Sequence, residues 1–592
     1  MPIFTFMGAN VLQRDDGYSF NVVQRTIEGV VPVVVESLSK QASDENSLTQ
    51  LSKSFLMTFT DASNHIPKHR RQLLFSFLIN VLESMRFLGP VLMLLIDKVA
   101  NKVVKQTHER SVPIALPLGI ISQFNAQEQL CSIENILREV MALNSRINDK
   151  EVGQVFLERS VDNKDKKTVY KRQALALLFF VEQAMQVRKL AVQVIKSIAN
   201  DEIIETKLLA IIHMLLILSA ESKNSEVNEI VQVSKLTLMN VLNVIPVNSF
   251  AKIVTELLAS DEFNVKVGSL HVLNIRLKSV KASHRAQVSS AVISGAELAL
   301  NLLGDKNVNI SDKELALHTL KTIADSAVNS ELSILSKSVN SVLQYIEDSA
   351  DPSPAFNLLE SLSPKLQTRL IATMKPIVSV SKSSIETSSN KDVQNSAFKC
   401  LKSIVNHLPT FISPQLSEIL DIALKNDILD NEHHQLTSSV QALLNTISKR
   451  VPSKEIFEVL QGVYSNVANS RQVSTITAYL EVFRRSLHAS NRTYIMDNHK
   501  KLFKLFLEIF DLRSLNSKMN VEDITAIEDT SIEAFSEMVV KINESTFRPV
   551  FKKLYDWAMI DLAESFDKIN AYDSRRITFF RVYDSLLNKL KV

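Results

Sequence analysis

The stretch SAFKCLKSIVNHLP, Ser396–Pro409, has a counterpart 43 residues further on in SVQALLNTISKRVP, Ser439–Pro452. Each is an apolar-striped run closed by an apolar residue and a proline, Leu408-Pro409 and Val451-Pro452. Proline cannot continue a helix, so both runs predict a helix followed by a fixed turn. Ile245-Pro246 closes an earlier run in the same way. SLHVLNIRLKSV and ELALHTLKTIAD share the pattern, and with Leu277, Leu320, Leu401 and Leu444 as anchors the spacings are 43, 81 and 43 residues. The wide gap holds one more unit, PAFNLLESLSPKL, whose Leu359 lies 39 residues after Leu320 and 42 before Leu401. A period of about 40 residues with paired helices predicts an all-α solenoid of the HEAT or armadillo type, in which each repeat buries its apolar face only by stacking on its neighbours.

Away from these runs the helical period persists. Leu74, Phe77, Leu78, Val81 and Met85 form one amphipathic stripe, and clear period-two strands are hard to find. The spacing predicts a solenoid over residues 1–545 and terminal helices continuing it over 546–592, with loops near 145–168, 348–354 and 379–390. The last of these is serine-rich and reads as a solvated connector.

Composition narrows the function. The 592 residues are 45% hydrophobic and 22% charged, enough to bury a large core and too apolar for a disordered chain. The 10 glycines are scattered, so neither glycine-rich nucleotide loop is present. Cys131 and Cys400 are too few for a disulfide framework or a thiolate zinc site, and a reducing compartment is expected. No secretion signal or membrane span is expected either, since the apolar run from Leu208 is shorter than the roughly 20 residues that cross a bilayer. The net charge of +3 supplies no global field, so any nucleic-acid contact must be local.

Searches for chemistry are mostly negative. GxSxG and HExxH motifs are absent, and Pro67 between His65 and His69 marks a helix start instead of a metal-ligand pair. No catalytic group, metal or cofactor is predicted. The basic residues are the candidates. Lys68, Arg70 and Arg71 follow Pro67 in a first turn, where the helix dipole disfavours positive charge by up to about 1 kcal/mol. Either an acidic side chain of the adjoining repeat or a phosphate could compensate. Further clusters are KDKKTVYKR from Lys164, which includes Lys166 and Lys167, RLKSVKASHR from Arg276, NHKKLFK from Asn498, FKKL from Phe551, and SRRITFF from Ser574 with Arg575 and Arg576. If several share one face they would track a phosphate backbone. Tyr170, Phe503 and Phe551 beside them read as core.

MPIFTFMGANVLQRDDGYSFNVVQRTIEGVVP at the start, HIPKHRRQLLFSFLINVL from His65 and STFRPVFKKLYDWA from Ser545 together resemble the U3 small nucleolar RNA-associated HEAT-repeat protein family of the small-subunit processome. The resemblance implies a non-catalytic nucleolar scaffold needed for pre-ribosomal RNA processing toward 18S rRNA and linked to ribosomal DNA transcription. It implies other processome proteins, propeller subunits among them, and the U3 ribonucleoprotein as partners, and it allows contact with the 5′ external transcribed spacer of the pre-rRNA. No membrane and no small-molecule substrate are implied. Chains of this family are several times longer, and this one is expected to be a C-terminal region. Among the matched residues Thr546 is expected to cap a helix with Pro549 in its first turn, Phe547 to staple it and Trp557 to fill the core beneath, while Arg548 joins Arg70 and Arg71 as a candidate for RNA or partner contact. Fold alone would also fit a nuclear transport receptor or a phosphatase scaffold.

Overall fold

The computed structural model describes residues 16–105, 111–148, 154–158, 166–198, 201–220, 228–430, 433–515, 519–561 and 569–590. The MPIFTFMG motif and the Lys164 end of its cluster lie outside them. Among the described residues every regular element is helical, as the repeat period requires. The chain divides into two compact units, Met1–Leu298 and Ala299–Val592, and the helices after residue 545 belong to the second.

The second unit shows the repeat most plainly. Helices Ile310–Asp325, Ser353–Leu366, Lys391–His407, His434–Arg450, Val473–Ala489, Val521–Lys541 and Ile569–Leu590 pack in sequence as one row. Leu332–Asp348, Met374–Thr387, Leu416–Ala423, Ser453–Ser470, Arg492–Phe510 and Glu544–Met559 lie in a second row. The anchors Leu320, Leu359, Leu401 and Leu444 are all buried between them. The proline turns fall as predicted: Pro452 is the residue preceding Ser453–Ser470, and Leu408 ends Lys391–His407. In the first unit Ser84–Lys105, Lys166–Met185 and Asn228–Val244 pack side by side, as do Ala126–Ile147, Glu202–Ser219 and Phe263–Ser279. Leucine side chains crowd Gly295, where a Cβ would lie 2.5 Å from Leu273 Cδ2.

One stretch, Ala282–Gly304, is long and apolar enough by composition to cross a bilayer. Only Ser289–Gly304 of it is α-helix, and Ala291, Val292 and Ala296 are buried within the protein, the pattern of a core helix.

Two predicted loops require correction. The serine-rich run from Ser379 is helical to Thr387, because Ile377, Val378, Val380 and Ile385 supply a buried stripe. Ser381 Oγ donates to the Ile377 carbonyl at 2.7 Å, so its hydroxyl is satisfied inside the helix. In the loop near 145–168, Ser145–Ile147 still belongs to a helix, and Val155, Phe156 and Leu157 are buried. Glu139 holds that segment by accepting from the Phe156 and Leu157 amides at 3.1 and 2.8 Å. Burial pushes the Glu139 carboxyl up, and the two amides only partly offset this. The short connector between Asp348 and Ser353 is as predicted.

Candidate functional site

Pro67 precedes the helix Lys68–Val81, and the two arginines behind it reach backbone carbonyls. Arg71 Nε donates to the Ile66 carbonyl at 2.8 Å and Nη2 to the Asn64 carbonyl at 3.4 Å. Those carbonyls end the preceding helical segment, where negative partial charge favours a cation. Arg70 Nη1 donates to the Asp16 carbonyl at 3.0 Å, and its guanidinium lies 5.3 Å from the centre of the Phe20 ring. The stretch is therefore a helix start stapled to the chain on either side. Lys68 is exposed. Lys166, half-buried, and Lys167, exposed, sit in the first turn of Lys166–Met185, and Lys171 of the same cluster pairs with Glu229 at 3.1 Å. In the Arg276 cluster, Arg276 Nη2 donates to the Ile245 carbonyl at 2.8 Å.

The second unit repeats this inward use of arginine. Arg575 grips Asp511 with two hydrogen bonds, 2.6 and 2.8 Å, donates to the Trp557 carbonyl at 3.2 Å and stacks 4.9 Å from the Trp557 ring. It is an internal clamp, which corrects its reading as an anion contact. Arg576 next to it is half-buried. Trp557 is 4% exposed and fills the core as expected. The helix cap is Asn543 instead of Thr546: its side chain accepts from the Thr546 amide at 2.9 Å, so the helix starts earlier and Pro549 lies in its interior. Phe547 takes the fourth helical position with Ile542 just before the cap, the spacing of a hydrophobic staple, and its ring lies 5.7 Å from Phe551. Arg548 is exposed and pairs with Glu544 at 2.6 Å.

Sequence reading missed the most connected ionic group. Glu528, 5% exposed, accepts two hydrogen bonds of 2.6 Å from Arg513, one of 2.6 Å from the Thr578 hydroxyl and one from Arg581. Arg581 also reaches Asp529 at 2.6 Å. Burial pushes the Glu528 carboxyl up, but the hydrogen bonds and the two guanidinium charges outweigh it and hold it below its ordinary value. Nothing in the spacing of residues 513, 528 and 581 could have joined them. Among the described residues no group of three or more metal-ligating side chains exists.

The lysines behave differently. Lys500, Lys501 and Lys504 on Arg492–Phe510 and Lys552 and Lys553 on Glu544–Met559 are exposed, and none has an ion-pair or hydrogen-bond partner among the described residues. A shallow groove lined by Glu544, Ser545, Arg548, Pro549 and Lys552 adjoins them.

Residues 47–246 match the model for HEATR1-like HEAT repeats, and residues 494–592 match the BP28CT (NUC211) domain. Along its whole length the chain is similar to the U3 small nucleolar RNA-associated HEAT-repeat family. It is 25% identical over 673 residues to U3 small nucleolar RNA-associated protein 10 of Mycosarcoma maydis, covering 100% of this chain and 30% of that protein. HEAT repeat-containing protein 1 of Homo sapiens is 24% identical over 652 residues, covering 100% and 29%, and the Schizosaccharomyces pombe U3 small nucleolar RNA-associated protein 10 is 26% identical over 610 residues, covering 100% and 35%. The chain thus spans about a third of the length of these relatives. The region that matches BP28CT contains the Glu528 cluster, the Arg575 clamp and the exposed lysines.

Proposed function

We propose that this chain is a non-catalytic scaffold of the small-subunit processome, acting in the nucleolus in pre-rRNA processing toward 18S rRNA and coupled to ribosomal DNA transcription. The observation that carries the reading is similarity along the whole chain to proteins named for association with U3 small nucleolar RNA. The repeat architecture supports it physically, because stacked helix pairs offer long surfaces to several partners at once. Other processome subunits, propeller proteins among them, and the U3 ribonucleoprotein are the proposed partners, with the 5′ external transcribed spacer as the RNA in reach.

The test is ultraviolet crosslinking in cells of the tagged protein, followed by sequencing of attached RNA and mass spectrometry of co-purified proteins. Recovery of U3 RNA, the spacer and processome proteins is the expected result. Recovery of transport cargo or a phosphatase in their place would overturn the reading.

A further inference from the structure

We infer that Lys500, Lys501, Lys552 and Lys553 form a single-track binding surface for an RNA phosphate backbone that crosses two neighbouring helices of the second unit. The inference rests on the scaffold reading above for which RNA is bound, but not for the surface itself.

The register of the two helices brings the lysines together. Arg492–Phe510 and Glu544–Met559 are adjacent in their row, and each follows the preceding helix through a short connector. Those connectors are tied to each other. Arg492 Nε donates to the Lys541 carbonyl at 3.1 Å, and Lys541 Nζ donates to the carbonyls of Leu487, His488 and Ser490 at 2.7, 2.6 and 2.8 Å. The two helices therefore start side by side and run the same way. Lys500-Lys501-Leu502 and Lys552-Lys553-Leu554 are 52 residues apart and occupy the same depth from each start, about 12 Å along the axis at 1.5 Å per residue. Leu502 and Leu554 are the buried anchors that turn both lysine pairs outward. With helix axes about 8–10 Å apart, the two pairs lie level on one face.

Charge and polarity indicate the occupant. Asp497 and Glu544 lie toward the helix starts and Glu508 and Asp556 toward their ends, so the positive charge is a band instead of a broad field. A band fits one strand running across the helices. Protein interfaces centre on aromatic and apolar residues and are depleted in lysine, whereas here Tyr555, 47% exposed, is a single large side chain beside four lysines. The exposed apolar residues Ile577, Phe580 and Leu587 lie on another helix. Unpaired ammonium groups on exposed stems are what a polyanion engages through counterion release.

The test uses the full chain and a fluorescein-labelled oligouridylate of about 20 nucleotides, followed by anisotropy across a salt series. The variant replaces Lys500, Lys501, Lys552 and Lys553 with Gln. At a slope of about −0.7 per neutralised phosphate, losing four contacts makes the salt dependence shallower by about 3 and weakens binding roughly 100-fold or more near 0.1 M salt. A charge-matched control replaces the exposed Lys306, Lys337, Lys375 and Lys399, which lie outside the basic clusters, with Gln and is expected to leave binding within about threefold of the parent. An unchanged midpoint in thermal melting shows that both variants are folded. Equal losses in the two variants, or unchanged binding in the first, would overturn the inference. So would intact oligouridylate binding with lost co-purification of processome proteins, which would make the band a protein contact. Failure of the parent protein to recover U3 RNA from cells, with the oligouridylate result standing, would sink the scaffold reading alone.

Discussion

Replacing Glu528 with Ala should be among the most destabilising single changes in the second unit. The carboxylate is 5% exposed and Arg513 is 16% exposed, so the substitution leaves a guanidinium buried with its two 2.6 Å acceptors gone. Arg581 keeps Asp529, and Thr578 keeps the Ser574 carbonyl at 3.1 Å, so the orphaned charge is chiefly Arg513. Breaking a buried pair from one side costs about 3–5 kcal/mol. Glu528→Gln keeps the shape and one acceptor oxygen and should lose about half as much. The sole tryptophan, Trp557, sits in the same unit, so its fluorescence in a urea titration reads this loss directly. The sign with pH follows from the lowered carboxyl. The stabilisation is fully present above the ordinary value of 4.5 and is lost as pH falls through the lower folded value. Glu528→Gln should flatten that acid limb. A loss below about 1 kcal/mol in Glu528→Ala, or additive losses when it is combined with Arg513→Ala, would refute the coupling.

Glu139→Ala should strand the buried Phe156 and Leu157 amides, cost about 2–4 kcal/mol and speed hydrogen exchange at both. Because the Glu139 carboxyl is raised, the parent should lose stability as pH climbs from the unfolded value through the folded one, and Glu139→Gln should abolish that step in pH-dependent melts. Gly295→Ala pushes a methyl into Leu273 and should cost about 1–3 kcal/mol by chemical denaturation. Arg71→Ala should lower stability by about 1–3 kcal/mol while leaving oligouridylate affinity unchanged in anisotropy. Burial pushes the Cys400 thiol far up, so in the native chain it should resist a thiol reagent that modifies it promptly in denaturant.

The fold was legible because its signal is periodic. Leu320, Leu359, Leu401 and Leu444 mark the repeat, and each is buried where stacking requires it. The serine-rich run from Ser379 misled because composition was weighed above the stripe of Ile377, Val380 and Ile385, and buried apolar contacts decide helicity over the local competition of hydroxyls. Asn543 was missed as the cap because a cap displays no spacing of its own, and Pro549 drew the predicted helix start toward itself although an interior proline is tolerated there. The candidate cations were read from local charge alone. What decides their fate is the group that approaches from elsewhere, Asp511 to Arg575 across 64 residues and the Asp16 carbonyl to Arg70 across 54.

The two kinds of cation are sorted by chemistry more than by cluster. Arg71, Arg276, Arg513, Arg575 and Arg581 each meet carbonyls or carboxylates of the protein itself, as suits a planar fork of donors that is weakly hydrated and pre-organised for fixed acceptors. The ammonium is a strongly hydrated point charge, so burying it takes acceptors that replace its water. Lys541 marks that limit: burial pushes it down, and three carbonyls are needed to hold it. Lys500, Lys501, Lys552 and Lys553 lie at the other end, held outward by Leu502 and Leu554 with no acceptor of their own among the described residues. An anion arriving from outside therefore meets lysine here, while Arg513, Arg575 and Arg581 tie together helices of the same unit. Removing an arginine should disturb binding only as far as it disturbs folding, whereas removing a lysine pair should disturb binding alone.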